Sequence, residues 1–191
     1  RVDRRVGLEI LRALGRMRAK DPSIAFPAES IALGLQEELR RYYEDKLSLY
    51  AIPEPQATSG VRFLRRTMEE RLRERLDAVF DLLGLIYPQR EILDARYWIA
   101  SGRADLRSNA VEFLDSRLTN PFRQMLLPVL ENSAQRRMID TSRTLFALRP
   151  VSFPNMLWKL METHDTWVQA CACHAAADAQ MKGLREKIGG L

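Results

Sequence analysis

Apolar residues recur at intervals of three and four along most of this 191-residue chain, with polar residues between them. No segment alternates with the period of two that marks a strand, so the pattern predicts an all-α protein of about eight to ten helices. A first helix is expected over residues 2–20, with Val6, Ile10, Ala13, Leu14 and Met17 on its inward face. Asp21-Pro22 stops it, because the residue before a proline is pushed out of helical geometry. Pro27 suits the first turn of a second helix reaching about Tyr50, whose apolar stripe is Ile31, Leu35, Leu39, Tyr42 and Leu49. Aromatic residues in such a stripe are read as core, so Tyr42-Tyr43 is not taken as a stacking platform. A third helix runs from about Val61 to Tyr87, with Leu64, Met68, Leu72, Leu76, Val79, Phe80 and Leu83 in register.

The second half has the same character. Pro88 ends the third helix and opens a fourth through Ile99, and Gly102 breaks it. Asp105 stands where it would cap the next helix, which places Leu106, Ala110, Phe113 and Leu114 on one face. Asn120-Pro121 reads as a cap and a first-turn proline for Phe122 to Leu130, and the internal Pro128 as an architectural kink. Further helices are expected over Ala134–Leu148 with Met138, Ser142, Leu145 and Phe146 inward, over Asn155–Thr163, and over Thr166–Met181. Asp165 opens the last of these. The stretch from Arg4 to Leu11 lines up with Arg107 to Leu114, and Asp165 to Cys171 repeats the frame of Asp105 to Val111. One template used three times predicts stacked helical hairpins, an α-solenoid in a single domain spanning 1–191. The segment 52–60, IPEPQATSG, is the one candidate sub-boundary.

Composition narrows the class without naming a chemistry. Apolar residues make up 46% and charged residues 29%, which excludes a disordered chain. No run approaches the roughly 20 apolar residues needed to span a bilayer, nor is there an apolar signal-peptide core. Because the chain begins at Arg1 rather than Met, it is expected to be a segment of a longer protein. The net charge of +5 reads as spread out, with 17 basic against 16 acidic residues over 1–95 and 13 against 9 over 96–191. Nucleic-acid binders concentrate charge on one face, so nucleic acid is a disfavoured partner. The densest arginine run, Arg62, Arg65, Arg66, Arg71, Arg73 and Arg75, is interleaved with Glu69, Glu70 and Glu74. It reads as one solvated outer face, with Glu69–Arg73 in the favourable i,i+4 order, and the mixed signs weigh against membrane contact by this helix.

Candidate chemistry is sparse. Cys171 and Cys173 point about 200° apart on a helix and cannot readily bridge each other, which suits a reducing, cytoplasmic setting. With His174 they make a C-x-C-H string that lacks zinc-site or haem-attachment spacing, so no metal or cofactor is expected. The adjacent carboxylate pairs Glu37-Glu38, Glu44-Asp45 and Glu69-Glu70 diverge by about 100° on their helices and make poor acid–base dyads. No catalytic residue is assigned. The interaction candidates are Arg62, Arg65, Arg66 and Arg73 with Trp98 and Trp167, since tryptophan is enriched at binding hot spots.

The strings LLGLIYP at 82–88, DLRSNAVEFLDSRL at 105–118, MLLPVLEN at 125–132 and DTWVQACA at 165–172 resemble HEAT-repeat modules of bacterial proteins. More narrowly, they resemble the helical-repeat region that follows the membrane part of bacterial nucleotide-translocase-like or major-facilitator-like transporters. The resemblance implies a non-enzymatic scaffold or regulatory appendage on the cytoplasmic side, whose partner is another protein or a neighbouring domain of a membrane-anchored parent. The alternative is a nucleic-acid-binding HEAT-like protein, including a DNA glycosylase-like enzyme, working through its arginine-rich helix faces.

Overall fold

A computed structural model of the chain describes residues 4–21, 23–53 and 58–181. Among the described residues there are nine α-helices and no strand: α1 (Arg4–Lys20), α2 (Ala28–Ala51), α3 (Ser59–Leu83), α4 (Gln89–Ala100), α5 (Ala104–Arg117), α6 (Phe122–Leu130), α7 (Gln135–Phe146), α8 (Phe153–Met161) and α9 (Thr166–Asp178). The all-α class follows. The chain divides into two compact units, one of Arg1–Tyr43 with Glu74–Ala147, the other of Glu44–Arg73 with Leu148–Leu191. The divisions fall inside α2 and α3, and residues 54–57 of the 52–60 segment expected as a sub-boundary lie outside the described residues.

In the first unit α4 packs on α5, α5 on α6 and α6 on α7. Its buried side chains include Leu35, Leu39, Val79, Leu83, Ile92, Leu114, Leu126 and Leu130. Tyr42 and Tyr43 are core residues, as their spacing predicts, at 8% and 1% exposure. A buried phenol must place its hydroxyl, and Tyr43 donates to the Met125 carbonyl at 2.9 Å while its ring lies 5.4 Å from that of Phe146. Pro128 is buried inside α6. In the second unit α8 packs on α9. Leu64 and Met68 of α3 are buried there, as are Leu157, Leu160 and Met161 of α8 and Val168, Ala172, Ala175 and Ala176 of α9.

Several local expectations need correction. The stripe Val6, Ile10 and Met17 does not face a core, and each of the three is about half exposed. The opposite side of α1 is the one held to the unit, by the Arg18 guanidinium donating to the Leu85 carbonyl and by Gln89 donating to the Gly15 carbonyl at 2.9 Å. Helix α3 stops at Leu83 rather than near Tyr87, and hydrogen-bonded turns carry the chain to Pro88. Pro88 is itself the N-cap of α4. Asp105 does not cap α5; Arg103 holds the N-cap position and draws the Asp105 carboxylate to itself at 2.6 Å. Pro121, not Asn120, stands at the N-cap of α6, and no side chain caps that helix. Leu145 and Phe146 are only partly buried. The repeated frame predicts an opening Asp at 165, and Asp165 does cap α9, its Oδ1 accepting from the Val168 N–H at 3.1 Å.

Candidate functional site

The six arginines of α3 do not share one face. At 100° per residue Arg62, Arg66 and Arg73 fall within about 40° of each other, and all three are exposed. Arg66 pairs with Glu70 at 3.0 Å, an i,i+4 contact on the open surface. Arg65 is half-buried and donates to the Ile52 carbonyl at 2.9 Å, which fixes it as a structural contact to the end of α2. Arg71 and Arg75 lie on the opposite side, among the apolar positions Leu64, Met68 and Leu72. Their side chains are 15% and 5% exposed.

In the second unit Arg71 Nε donates to Asp45 Oδ2 at 2.9 Å and Nη1 to Asp165 Oδ2 at 3.3 Å. Asp165 therefore serves α9 with one oxygen and Arg71 with the other. In the first unit Arg75 donates to Glu38 Oε2 at 3.1 Å. The expectation of a six-arginine outer face is thus corrected to three exposed arginines, Arg65 bonded to the end of α2, and two interior arginines held in ion pairs. Long aliphatic stems let arginine lie in an apolar stripe while its guanidinium reaches a carboxylate.

The tryptophans divide in the same way. Trp98 is partly buried on α4, whereas Trp167, in the first turn of α9, is 57% exposed. They belong to different units. Beside Trp98, Leu93 and Tyr97 are 50% and 70% exposed and stand one turn apart on α4. Sequence reasoning passed over both, because neither breaks the helical pattern and exposure is not written in it. The open face between α5 and α6 forms a groove of about 470 Å³ lined by Arg107, Val111, Glu112, Asp115, Leu127 and Glu131. Its charges are largely spoken for. Arg107 donates to the carbonyls of Leu130 and Ile99, Asp115 takes Arg123, and Glu131 takes Arg137.

Charge is also less evenly spread than a comparison of the two halves suggests. Helix α1, RRVGLEILRALGRMRAK, has six basic residues and one acidic, a net +5 that equals the excess of the entire chain. All other residues together balance to zero. The excess does not show in the first half as a whole, because residues 21–95 are net acidic and offset it.

The cysteines are free thiols. Cys171 is buried with its Sγ 3.4 Å from Thr67 Oγ1, and Cys173 is partly buried. His174 is exposed, 3.8 Å from Asp178 Oδ1. Among the described residues no group of three or more His, Cys, Asp or Glu is arranged to hold a metal ion. The carboxylates show two contrasting environments. Burial pushes the Asp81 carboxyl above the usual range, against the opposing pull of Arg96 at 2.9 Å. Asp178 is held below it, first by the Gly60 N–H at 2.7 Å and then by the hydroxyls of Thr58 and Ser59.

Asp178 thus caps the start of α3 from the end of α9. A lowered folded-state pKa contributes stability that is fully present above the unfolded value and is lost as the pH falls through the folded one. The thermal midpoint of the native chain is therefore expected to drop as the pH falls below the ordinary carboxylate range, with Asp178 contributing to that drop. In Asp178→Asn the neutral start should already be lower and the acid slope shallower. Equal slopes in the two proteins would show that Asp178 carries no proton-linked stability.

Compared with models of protein families, with curated proteins and with solved structures, the chain finds no match.

Proposed function

We propose that this chain is a non-enzymatic interaction module made of HEAT-like helical hairpins, working as a cytoplasmic appendage of a membrane-anchored, transporter-like parent. The observation that carries the reading is Leu93 and Tyr97, two large apolar side chains at i,i+4 on α4, 50% and 70% exposed. Scattered single apolar residues need no explanation, but an aromatic and an aliphatic side chain stacked one turn apart offer a partner a small anchor. The nearest-neighbour packing of α4 through α7 supports the hairpin-repeat reading, because such a stack buries its core between neighbours and leaves its faces free. Trp167, in the second unit, is another exposed anchor.

The nucleic-acid alternative keeps Arg62, Arg66 and Arg73 as its exposed cations, but Glu70 already engages Arg66. Arg65, Arg71 and Arg75 are occupied by the fold itself.

The test is photocrosslinking in cells with a crosslinking amino acid placed at Tyr97, and at Glu112 of α5 as a control. A discrete protein adduct at position 97 that disappears with Leu93→Asp and is absent at position 112 is the expected result. No adduct, or equal adducts at both positions, would reject the α4 surface. Anisotropy with labelled duplex and single-stranded DNA and RNA at about 50 and 200 mM salt separates the alternative, since phosphate-driven binding weakens steeply over that range.

A further inference from the structure

The open stripe on α1 and the concentration of positive charge on the same helix are two separate observations, and they fit one occupant. Val6, Ile10 and Met17 are 51%, 49% and 50% exposed, and their spacing of four and then seven sets them on one line along the helix. Arg12, Arg16 and Lys20, spaced by four, form a parallel row beside it. Arg16 and Lys20 are exposed, and Arg12 pairs with Glu9, the one acidic residue of the helix, at 2.6 Å. The third side of α1 is the anchored one, through Arg18 to Leu85 and Gly15 to Gln89. The circumference thus reads in sequence as anchor, bare apolar line and cationic row.

We propose that α1 is an interfacial helix that docks on an anionic lipid surface, with Val6, Ile10 and Met17 entering the headgroup–acyl boundary and Arg16 and Lys20 engaging lipid phosphates. A helix of this kind lies in the membrane plane rather than crossing it. That fits a chain in which no described helix is long and apolar enough to cross a membrane. The choice of a lipid over a nucleic acid rests on the apolar line. Phosphates of a nucleic acid satisfy Arg16 and Lys20 but leave Val6, Ile10 and Met17 in water, whereas an anionic bilayer takes up both rows at once. The surface is distinct from the Leu93–Tyr97 anchor, so the lipid contact and the protein contact stand or fall separately.

The experiment is cosedimentation of the full 191-residue chain with two kinds of vesicle, pure phosphatidylcholine and phosphatidylcholine with roughly one-third phosphatidylglycerol. Binding should be at least about ten-fold stronger to the anionic vesicles and should weaken with salt. Each cation near an anionic surface contributes about five-fold in affinity, so Arg16→Gln with Lys20→Gln is expected to weaken binding about twenty- to thirty-fold. Ile10→Glu with Met17→Glu should abolish it while leaving the far-ultraviolet circular dichroism unchanged, because both side chains already face water. Equal binding to both vesicles, no binding, or binding that survives Ile10→Glu with Met17→Glu would overturn the proposal. So would tight duplex-DNA binding lost only in the charge variant, or a dimer in size exclusion that dissociates in the apolar variant without any vesicle binding.

Discussion

Replacing Arg71 with methionine should destabilise the second unit by about 3 kcal/mol, more than any exposed arginine of the same helix contributes. Methionine keeps an apolar stem on the face of α3 that carries Leu64 and Met68 and removes only the guanidinium. Asp45, 5% exposed, then loses the guanidinium that faces it at 2.9 Å. Taking one partner from a buried ion pair costs far more than the pair was worth, because the desolvation of the survivor is no longer offset. Asp165 loses less, since it is 39% exposed and keeps its bond to the Val168 N–H. Arg71→Lys should recover little, because one ammonium cannot reproduce a planar fork that reaches two carboxylates from two different nitrogens. Adding Asp45→Asn to Arg71→Met should return about half of the loss, and the non-additivity measures the coupling. Urea unfolding followed by tryptophan fluorescence is a suitable probe, with Trp158 and Trp167 both in the second unit. A loss in Arg71→Met no larger than the roughly 0.5 kcal/mol expected for Arg66→Ala would mean that the pair is solvated in solution.

How much of this was legible beforehand depends on what kind of fact is asked for. Helix positions follow from periodicity, so the stripe from Ile31 to Leu49 and the burial of Tyr42 and Tyr43 could be read directly. The Asp165 cap could also be read, because a capping residue acts on an N–H only three positions away. Periodicity does not say whether anything covers a stripe. Val6, Ile10 and Met17 have the spacing of core residues and stand half in water. Polarity misleads in the other direction at Arg71 and Arg75. A run of alternating charges looks solvated until the phase of each residue relative to Leu64, Met68 and Leu72 is counted, which places those two arginines inside. Caps assigned to Asp105 and Asn120 failed because a neighbouring Arg103 or Pro121 took the position.

Gly60 is the clearest case of a residue whose role comes entirely from distant chain, and Gly60→Val should cost about 3 kcal/mol. It stands in the first turn of α3, where a glycine would ordinarily be a weakness worth about 1 kcal/mol against alanine. A Cβ built there would meet His174 Nδ1 at 2.5 Å, Asp178 Oδ2 at 2.9 Å and the Ala175 backbone nitrogen at 3.0 Å. The two side chains differ from the backbone atom in what they can do. His174 is exposed and can swing aside, and the Asp178 carboxylate can rotate only by loosening its 2.7 Å bond from the Gly60 N–H. The Ala175 nitrogen belongs to α9 and cannot yield unless that helix moves away from α3. The expected order is therefore wild type, then Gly60→Ala at about 1–2 kcal/mol after its gain in helix propensity, then Gly60→Val. His174→Ala should rescue only part of the Gly60→Ala loss, because it removes the side-chain clash and leaves the backbone one. Full rescue by His174→Ala would show that α3 and α9 have room between them. A neutral Gly60→Val would remove the close approach altogether, and with it the reason Asp178 can cap α3 from the end of α9.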